Sequence, residues 1–410
     1  MVIHIGIVGP IATADICHLL DNGWAEGLPK GYPGAPFLST LIGELLRRGH
    51  RVSAFTLSDD ISLNRREPVI AHGDNFTLSY SPMRRRAWGP NGLYPGRILD
   101  LFSFERKHLQ QAIEQAAPDV VHAHWTYEFA LAALQTGLPH VVTCHDSPYK
   151  VARFYSREKP TQSLYRWMRV LMAQKVLRQA RCVTAVSPYM RDEVQDMARV
   201  PITVVANPVD MFASTLGKER SAPKSPHFAM VCNGWQALKN PQPAMKAYSR
   251  YRACHPEAEL HLYGNDFGAG QTAEIWAKQQ GIAAGMTFHG SIPHQRLLEA
   301  LSNADVLLHP ALEESFGMSI AEAMAMGLPV VAGKSSGAVP WVVGEGGALC
   351  DVRQEQAIYL AIERILIPEN YMRYSIAARE RVESMFTISA VAAAYLATYH
   401  AAADKELMPC

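Results

Sequence analysis

The sequence predicts an α/β protein of two domains, each a mostly parallel sheet with helices packed on it. Three observations predict it. The chain has 410 residues, and at roughly 150 residues per domain that is room for two or three. Its apolar runs are short and continuous, Val2–Val8 being the first, as parallel strands buried on both faces should be. The rhythm of apolar strand, loop and amphipathic helix begins at the N-terminus and restarts after Met211–Pro226, a stretch shifted to Ser, Lys, Pro and Gly.

Val2–Val8 opens the first domain as a strand. A long loop follows and ends in Gly31-Tyr-Pro-Gly34-Ala-Pro36. Phe37, Leu38, Leu41, Ile42, Leu45 and Leu46 then recur at helical spacing. Gly49 stops that helix, and Arg51–Thr56 is the next strand, which completes a βαβ unit. Pro68–Ala71 and Phe76–Tyr80 flank Gly73-Asp74-Asn75 as a hairpin. Val120–His122, Val141–Thr143, Val183–Val186 and Val204–Ala206 are further strands, and Asp119 reads as a turn residue.

After the linker the order is strand Phe228–Val231, helix Pro243–Tyr251, strand Glu259–Tyr263 and helix Ala273–Gln279. Strands Thr287–His289 and Val306–Leu308 follow, then a helix near Ile320–Met326 and strand Pro329–Ala332. The domains are expected at 1–209 and 210–387. The last helix, Ser389–Ala403, has few partners nearby in sequence, so the segment 388–410 is expected to cross back to the first domain. Two Rossmann-like domains face to face leave a cleft, the default ligand site beyond the carboxyl ends of their strands.

Composition narrows the class. Lys plus Arg is 39 and Asp plus Glu is 38, a net charge of +1, which argues against a protein that coats nucleic acid. Hydrophobic residues are 48% and charged residues 19%, ordinary values that exclude wholesale disorder. Cys17, Cys144, Cys182, Cys232, Cys254, Cys350 and Cys410 have no metal-ligand spacing, and their odd number does not suggest a disulfide framework. A reducing, cytoplasmic compartment is expected. No run reaches the length of about 20 apolar residues needed to span a bilayer. The N-terminus resembles the apolar part of a signal peptide, with Ala12-Thr13-Ala14 as a cleavage site. No Lys or Arg precedes it, so a buried first strand is the better reading.

The most informative stretch runs from His309 to Ala332, after a strand and into a helix. Gly317 lets the backbone turn tightly and come close to a ligand. Free N–H groups at the helix start can hold a phosphate, helped by the helix dipole. Glu322, expected in the first turn, can accept two hydrogen bonds from a ribose diol. Ser319-Ile-Ala-Glu322 also reads as a capping box, in which Glu322 only satisfies the helix end. Glu314 precedes the turn and either reaches a sugar hydroxyl or is a solvated loop charge.

Glu314 and Glu322 are separated by seven residues, with Phe316-Gly317 between and Gly327-Leu-Pro329-Val-Val after. The pattern resembles the E-x7-E signature of the family-four retaining glycosyltransferases, which have the GT-B fold. Other segments match in order: Pro118-Asp-Val-Val-His-Ala-His124, Thr143-Cys-His145-Asp146, Val186-Ser187, Asn207-Pro-Val-Asp210, Thr287-Phe-His-Gly290 and Ala304-Asp305. The resemblance covers nearly the whole chain, and E-x7-E is its one specific piece.

That resemblance implies an acceptor-binding first domain and a second domain that binds the nucleotide-sugar donor. Glu322 would bind the ribose. Glu314 and the backbone of Phe316, Gly317, Met318 and Ser319 would hold donor sugar and diphosphate. His145 would lie beside the transferred sugar, with His122 and His124 as weaker candidates. Lys239 would neutralise the leaving diphosphate with no metal required. Gly34 would belong to the loop that approaches the phosphate or the acceptor. Base contacts would come from the backbone near Tyr263 and Ser291, with a UDP-sugar expected ahead of a GDP-sugar. The family's basic pair, G-R-x4-K, is altered. Lys239 matches, but Gly234 stands where the Arg is usual, so the diphosphate is expected to be held by Asn233, Lys239 and helix dipoles alone or by an Arg from elsewhere in the chain. Pro208 replaces a usual Gly, and the first loop lacks adjacent glycines.

Lys150, Arg153, Arg157, Lys159, Arg166, Arg169, Lys175, Arg178 and Arg181 face only Glu158 within their own stretch. Leu164, Trp167, Met168, Leu171 and Met172 supply an apolar face, and Arg84-Arg-Arg86-Ala-Trp88 adds a basic loop with an aromatic anchor. Residues 150–181 are expected to meet either an anionic membrane surface that carries a lipid-linked acceptor or an anionic glycan. The competing reading is a solvated helix with its apolar face in the core. The expected activity is transfer of a hexosyl or N-acetylhexosaminyl group in cell-surface glycan or glycolipid synthesis. A sugar-nucleotide epimerase and a non-catalytic nucleotide-sugar binder are the alternatives, the latter because of Gly234.

Overall fold

The computed structural model describes residues 2–21, 27–158 and 160–404 of the 410. Lys159 and Cys410, named above, lie outside the described residues. The chain forms two compact units, one from the N-terminus to Val205 together with the segment from Val391, the other Ala206–Ala390. The change of unit comes a few residues before the expected boundary.

The first unit holds strands β1 (His4–Val8), β2 (Arg51–Ser58), β3 (Val69–Gly73), β4 (Phe76–Pro82), β5 (Val120–His124), β6 (His140–Cys144), β7 (Val183–Ala185) and β8 (Ile202–Val204). They form one sheet in the order β3-β4-β2-β1-β5-β6-β7-β8. Only β3 runs against its neighbour, through the hairpin whose turn places Asn75 at φ +53°. β1 is central, pairing Val8 with Phe55 on one side and Ala123 on the other. Ile5, Ile7 and Val8 have no exposed surface, so the strand must be apolar on both faces.

Three helices of this unit position functional groups: α1 (Phe37–Arg47), α2 (Pro148–Glu158) and α3 (Ser163–Gln179). α1 buries Leu38, Leu41, Ile42 and Leu45 on one stripe, and Gly49 at φ +83° lets the chain leave it.

The second unit holds β9 (His227–Val231), β10 (Glu259–Tyr263), β11 (Met286–Gly290), β12 (Val306–His309), β13 (Val330–Gly333) and β14 (Gly347–Cys350). Their order is β11-β10-β9-β12-β13-β14, and every pair is parallel. Helices α4 (His294–Asn303) and α5 (Met318–Ala325) follow β11 and β12. Met211–Pro226 is not all linker. Asp210 accepts a hydrogen bond from the N–H of Phe212 and caps the short helix Met211–Thr215. β14 and the helices Glu355–Ile365 and Pro368–Met385 complete the unit, and the sequence reading had not placed them. The last helix, α6 (Ile388–Ala403), returns to the first sheet and buries Tyr395 and Tyr399 against β5 and β6.

The Arg84 loop departs from its expected role. The Arg84 guanidinium is wholly buried and binds Glu105 at 2.6 Å and Asp100 at 2.8 Å. It is a structural ion cluster, because a buried cation needs partners on most of its donors. Trp88, at 40% exposure, and the largely exposed Arg85 are left at the surface.

Candidate functional site

In the second unit the candidate side chains come from loops beyond the carboxyl ends of β9, β10, β11 and β12 and from the helices that follow β11 and β12, where parallel sheets bind ligands. The loop after β12 carries Glu314, and the loop after β9 carries Lys239. Lys239 Nζ donates to Glu314 Oε1 at 2.7 Å. Burial opposes the charge on Lys239, but the carboxylate outweighs it and holds the ammonium pKa above its ordinary value. Asn240, in the left-handed region at φ +48°, pins the same loop by donating to the carbonyls of Pro310 and Val352. His309, missed as a candidate although it opens the motif, has Nε2 3.6 Å from Glu314 Oε1. Burial lowers its pKa and keeps it neutral.

Gly317 precedes α5 at φ +97°, a conformation that favours glycine. The helix begins at Met318, so Glu322 sits in the second turn rather than the first, and no side chain caps the start. The capping-box alternative is therefore corrected: with Gly317 as N-cap, Glu322 lies two residues beyond the position from which it would reach back to the helix start. It is instead nearly buried and accepts a hydrogen bond from His294 Nε2 of α4 at 2.8 Å. His294 carried no periodic or motif signal. The first N–H groups, at Met318 and Ser319, have no acceptor within the helix, as at any helix start. The Phe316 ring is packed against Trp341 and Phe386.

The neighbouring loops are tied together. Gly234 donates to the carbonyl of Asn265, and Gly264 to that of Gly290. Asn233 Oδ1 accepts from Asn265 N at 3.4 Å, and Ser291 Oγ donates to Asn265 Oδ1 at 2.6 Å. Tyr263 stacks on His289 with ring centres 4.6 Å apart, and its carbonyl accepts from the N–H of Cys232. Gly234 lies at φ +99°. An Arg in place of Gly234 would be strained at this φ. Gly264, at φ +117°, has no alternative residue, because a Cβ would fall 1.9 Å from the carbonyl oxygen of Cys232.

In the first unit, His145 follows β6 and is 7% exposed. Its ring stacks on Trp125 at 4.3 Å and meets Phe37, the first residue of α1, at 5.2 Å. Trp125 takes φ +66°, a strained setting for a bulky residue. His145 Nε2 is 2.9 Å from His124 Nδ1. Behind them His122 bonds Tyr399 Oη and Thr143 Oγ1, both at 2.7 Å. Burial pushes His145 down to about 3 and holds His122 and His124 well below the usual histidine range. His122 and His124 thus support His145 from behind. Asp146 accepts a hydrogen bond from Tyr127 Oη at 2.8 Å, and burial raises its pKa. Asp119 pairs at the sheet end, accepting from the N–H of His4 at 2.8 Å.

Gly34, at φ +142°, lies in the loop before α1, and a Cβ there would meet only Pro10, at 4.0 Å. Beyond β2 and β4 opens a cavity of about 750 Å³ whose walls include Asp59, Asp60, Arg85, Arg86, Asn91 and Tyr94.

The basic stretch divides between core and surface. Arg169 binds Glu128 at 2.9 Å, and Lys150 lies 3.1 Å from Glu193. Arg166 covers the Tyr155 ring at 4.1 Å, and Met172 is buried. Leu164, Trp167 and Leu171 are 61%, 40% and 59% exposed and form one row on α3, continued by exposed Lys175 and Arg178. The apolar face expected of this helix is therefore partly core and partly surface. Among the described residues no helix is long and apolar enough to cross a membrane.

A family model for Glycosyltransferase Family 4 matches residues 36–211, and one for Glycosyl transferases group 1 matches residues 217–381. The chain is 27% identical over 309 residues to a glycogen synthase of Mycobacterium tuberculosis, covering 71% of each. It is 23% identical over 385 residues to the N-acetyl-alpha-D-glucosaminyl L-malate synthase of Bacillus anthracis, covering 90% of this chain and 93% of that one. The sucrose-phosphate synthase of Thermosynechococcus elongatus superposes with a TM-score of 0.72 at 19% identity, over 97% of this chain and 98% of that one. With one model on each unit, these likenesses and the two parallel-sheet units, the chain belongs to the family-four glycosyltransferases of GT-B fold.

Proposed function

We propose that the chain moves a hexosyl or N-acetylhexosaminyl group from a UDP-sugar to a glycan or lipid-linked acceptor, retaining the anomeric configuration, in cell-surface glycan or glycolipid synthesis. The bond from the anomeric carbon to the diphosphate oxygen breaks, and the diphosphate leaves with the electron pair. The acceptor oxygen bonds to that carbon and gives up its proton to an oxygen of the departing diphosphate. The observation that carries the reading is the convergence of Lys239, Glu314, the start of α5 and Glu322 beyond the strand ends of one sheet. A cation and oriented N–H groups there stabilise the charge that develops on the diphosphate, with no resident metal in the scheme. Glu322 takes the ribose, Asn233 lies on the phosphate side, and the backbone near Tyr263 and Ser291 meets the base. His145 touches the transferred sugar, and the loop at Gly34 approaches it. The cavity that contains Arg85 and Asp59 receives the acceptor.

Thermal unfolding with UDP, GDP, ADP and dTDP tests the donor side. UDP at about 100 times its Kd should stabilise the protein by about 2.7 kcal/mol. Glu322→Ala should remove hydrogen bonds worth about 1.5–3 kcal/mol, weakening UDP roughly ten- to a hundredfold. No response of a folded wild type to any of the four nucleotides would sink the transferase reading in favour of a non-catalytic role.

The protein works at the cytoplasmic membrane face in this reading. The row Leu164, Trp167 and Leu171, continued by Lys175 and Arg178 and neighboured by Arg153 and Arg157 of α2, supports it. Apolar side chains that enter the headgroup layer beside cations suit an anionic bilayer. The protein should sediment with anionic but not neutral vesicles, and a Leu164→Ser, Trp167→Ser, Leu171→Ser triple variant should stay in solution. Equal sedimentation of variant and wild type would refute it.

A further inference from the structure

The hydrogen bond between His124 and His145 can be made by either of two tautomer pairs, and the surroundings choose between them. Trp125 and Phe37 clamp the His145 ring, so its plane is set. The bond at 2.9 Å to His124 Nδ1 then sets which edge carries Nε2. His124 is fully buried, and its own Nε2 has no hydrogen-bond partner among the described residues. If His145 donated, neutral His124 would carry its hydrogen on that partnerless Nε2, as a buried and unsatisfied N–H. If His124 donates from Nδ1, only a lone pair is left without a partner. Orphaned buried N–H groups are the rarer defect in folded proteins.

We propose that His124 is a positioning residue that donates its Nδ1–H to His145 Nε2 and so fixes His145 as the Nδ1–H tautomer, a neutral donor toward an oxygen of the sugar. The inference rests on the reading that His145 touches the transferred sugar. Burial keeps both imidazoles uncharged at neutral pH, so His145 offers a hydrogen bond and not a transferable imidazolium proton. His122 holds the arrangement from behind, through Tyr399 of α6 and Thr143 of β6.

The tautomer is read directly by long-range 1H–15N correlation on the full-length protein with 15N-labelled histidine, His145 being assigned from a His145→Gln sample. The expected spectrum of wild type at neutral pH shows His145 Nδ1 protonated and Nε2 bare. The opposite pattern, or a positively charged ring, overturns the proposal without any variant having to fold. The kinetic arm compares His124→Phe, which cannot donate, with His124→Asn, whose amide N–H can take the place of Nδ1–H. His124→Phe should lower kcat about ten- to a hundredfold with little change in nucleoside diphosphate affinity, and His124→Asn should recover most of the loss. A wild-type kcat for His124→Phe refutes the positioning role. If His145→Ala itself transfers sugar at the wild-type rate, the reading of His145 fails, whatever the spectrum shows.

Discussion

Lys239→Ala should lower kcat about 100- to 1,000-fold, the range found when one preorganised donor is removed from a developing negative charge. The wild-type ammonium is poised by its surroundings. It contacts Glu314 at 2.7 Å, and Asn240 anchors the loop that carries it to two carbonyls. It therefore need not reorganise as the diphosphate departs. The variant loses a cation and also leaves Glu314 as an uncompensated anion beside another anion. Both effects grow as charge moves onto the leaving group, so kcat should fall more than the donor KM rises. Lys239→Arg should recover part of the rate, because the charge returns while the forked guanidinium changes the geometry. Folding should survive, since Glu314 is 18% exposed and can be hydrated. Steady-state kinetics on a variant with a normal unfolding transition decides the matter. A kcat within threefold of wild type would remove Lys239 from the chemistry.

Arg84→Ala should destabilise the first unit by about 3–5 kcal/mol, the usual cost of breaking a buried ion pair from one side. Arg84 and Glu105 are both fully buried, 2.6 Å apart, and Asp100 closes the cluster at 2.8 Å. The guanidinium also donates to the carbonyl of Pro95 at 3.2 Å, which fastens the loop that walls the cavity beyond β4. Removing it strands the Glu105 carboxylate in the interior. For a unit of this size the midpoint of unfolding should fall by roughly 10 °C. An Arg84→Met, Glu105→Leu pair, which leaves no buried charge, should unfold later than Arg84→Ala alone. An unchanged midpoint for Arg84→Ala would show that the cluster opens to water.

These expectations separate two kinds of information in the chain. The alternation of strand and helix was legible because burial on both faces demands continuous apolar strands, and β1, β9 and β12 lie where those runs stand. The turn at Gly317, the pair Glu314 and Glu322 and the match at Lys239 were legible because backbone geometry and charge act over a few neighbouring residues. The helices Glu355–Ile365 and Pro368–Met385 were missed although Ile358, Ala361, Ile362 and Ile365 carry a helical stripe. Arg84 read as a surface charge because its partners, Asp100 and Glu105, lie a loop away.

The sequence by itself determined the class of fold, the two-unit order, the family and the local chemistry of the loop that leads into α5. Only the tertiary structure decided that Lys239 grips Glu314, that His294 occupies Glu322, and that Trp125, Phe37 and His124 hold one edge of His145. It alone divided a single basic stretch into buried ion pairs and an exposed apolar row. The physical reason is range. Propensity, turn geometry and capping act between near neighbours in the chain. Ion pairs, tautomers and ring stacks depend on groups that meet only after sheets and helices pack, as His122 meets Tyr399 across 277 positions of sequence.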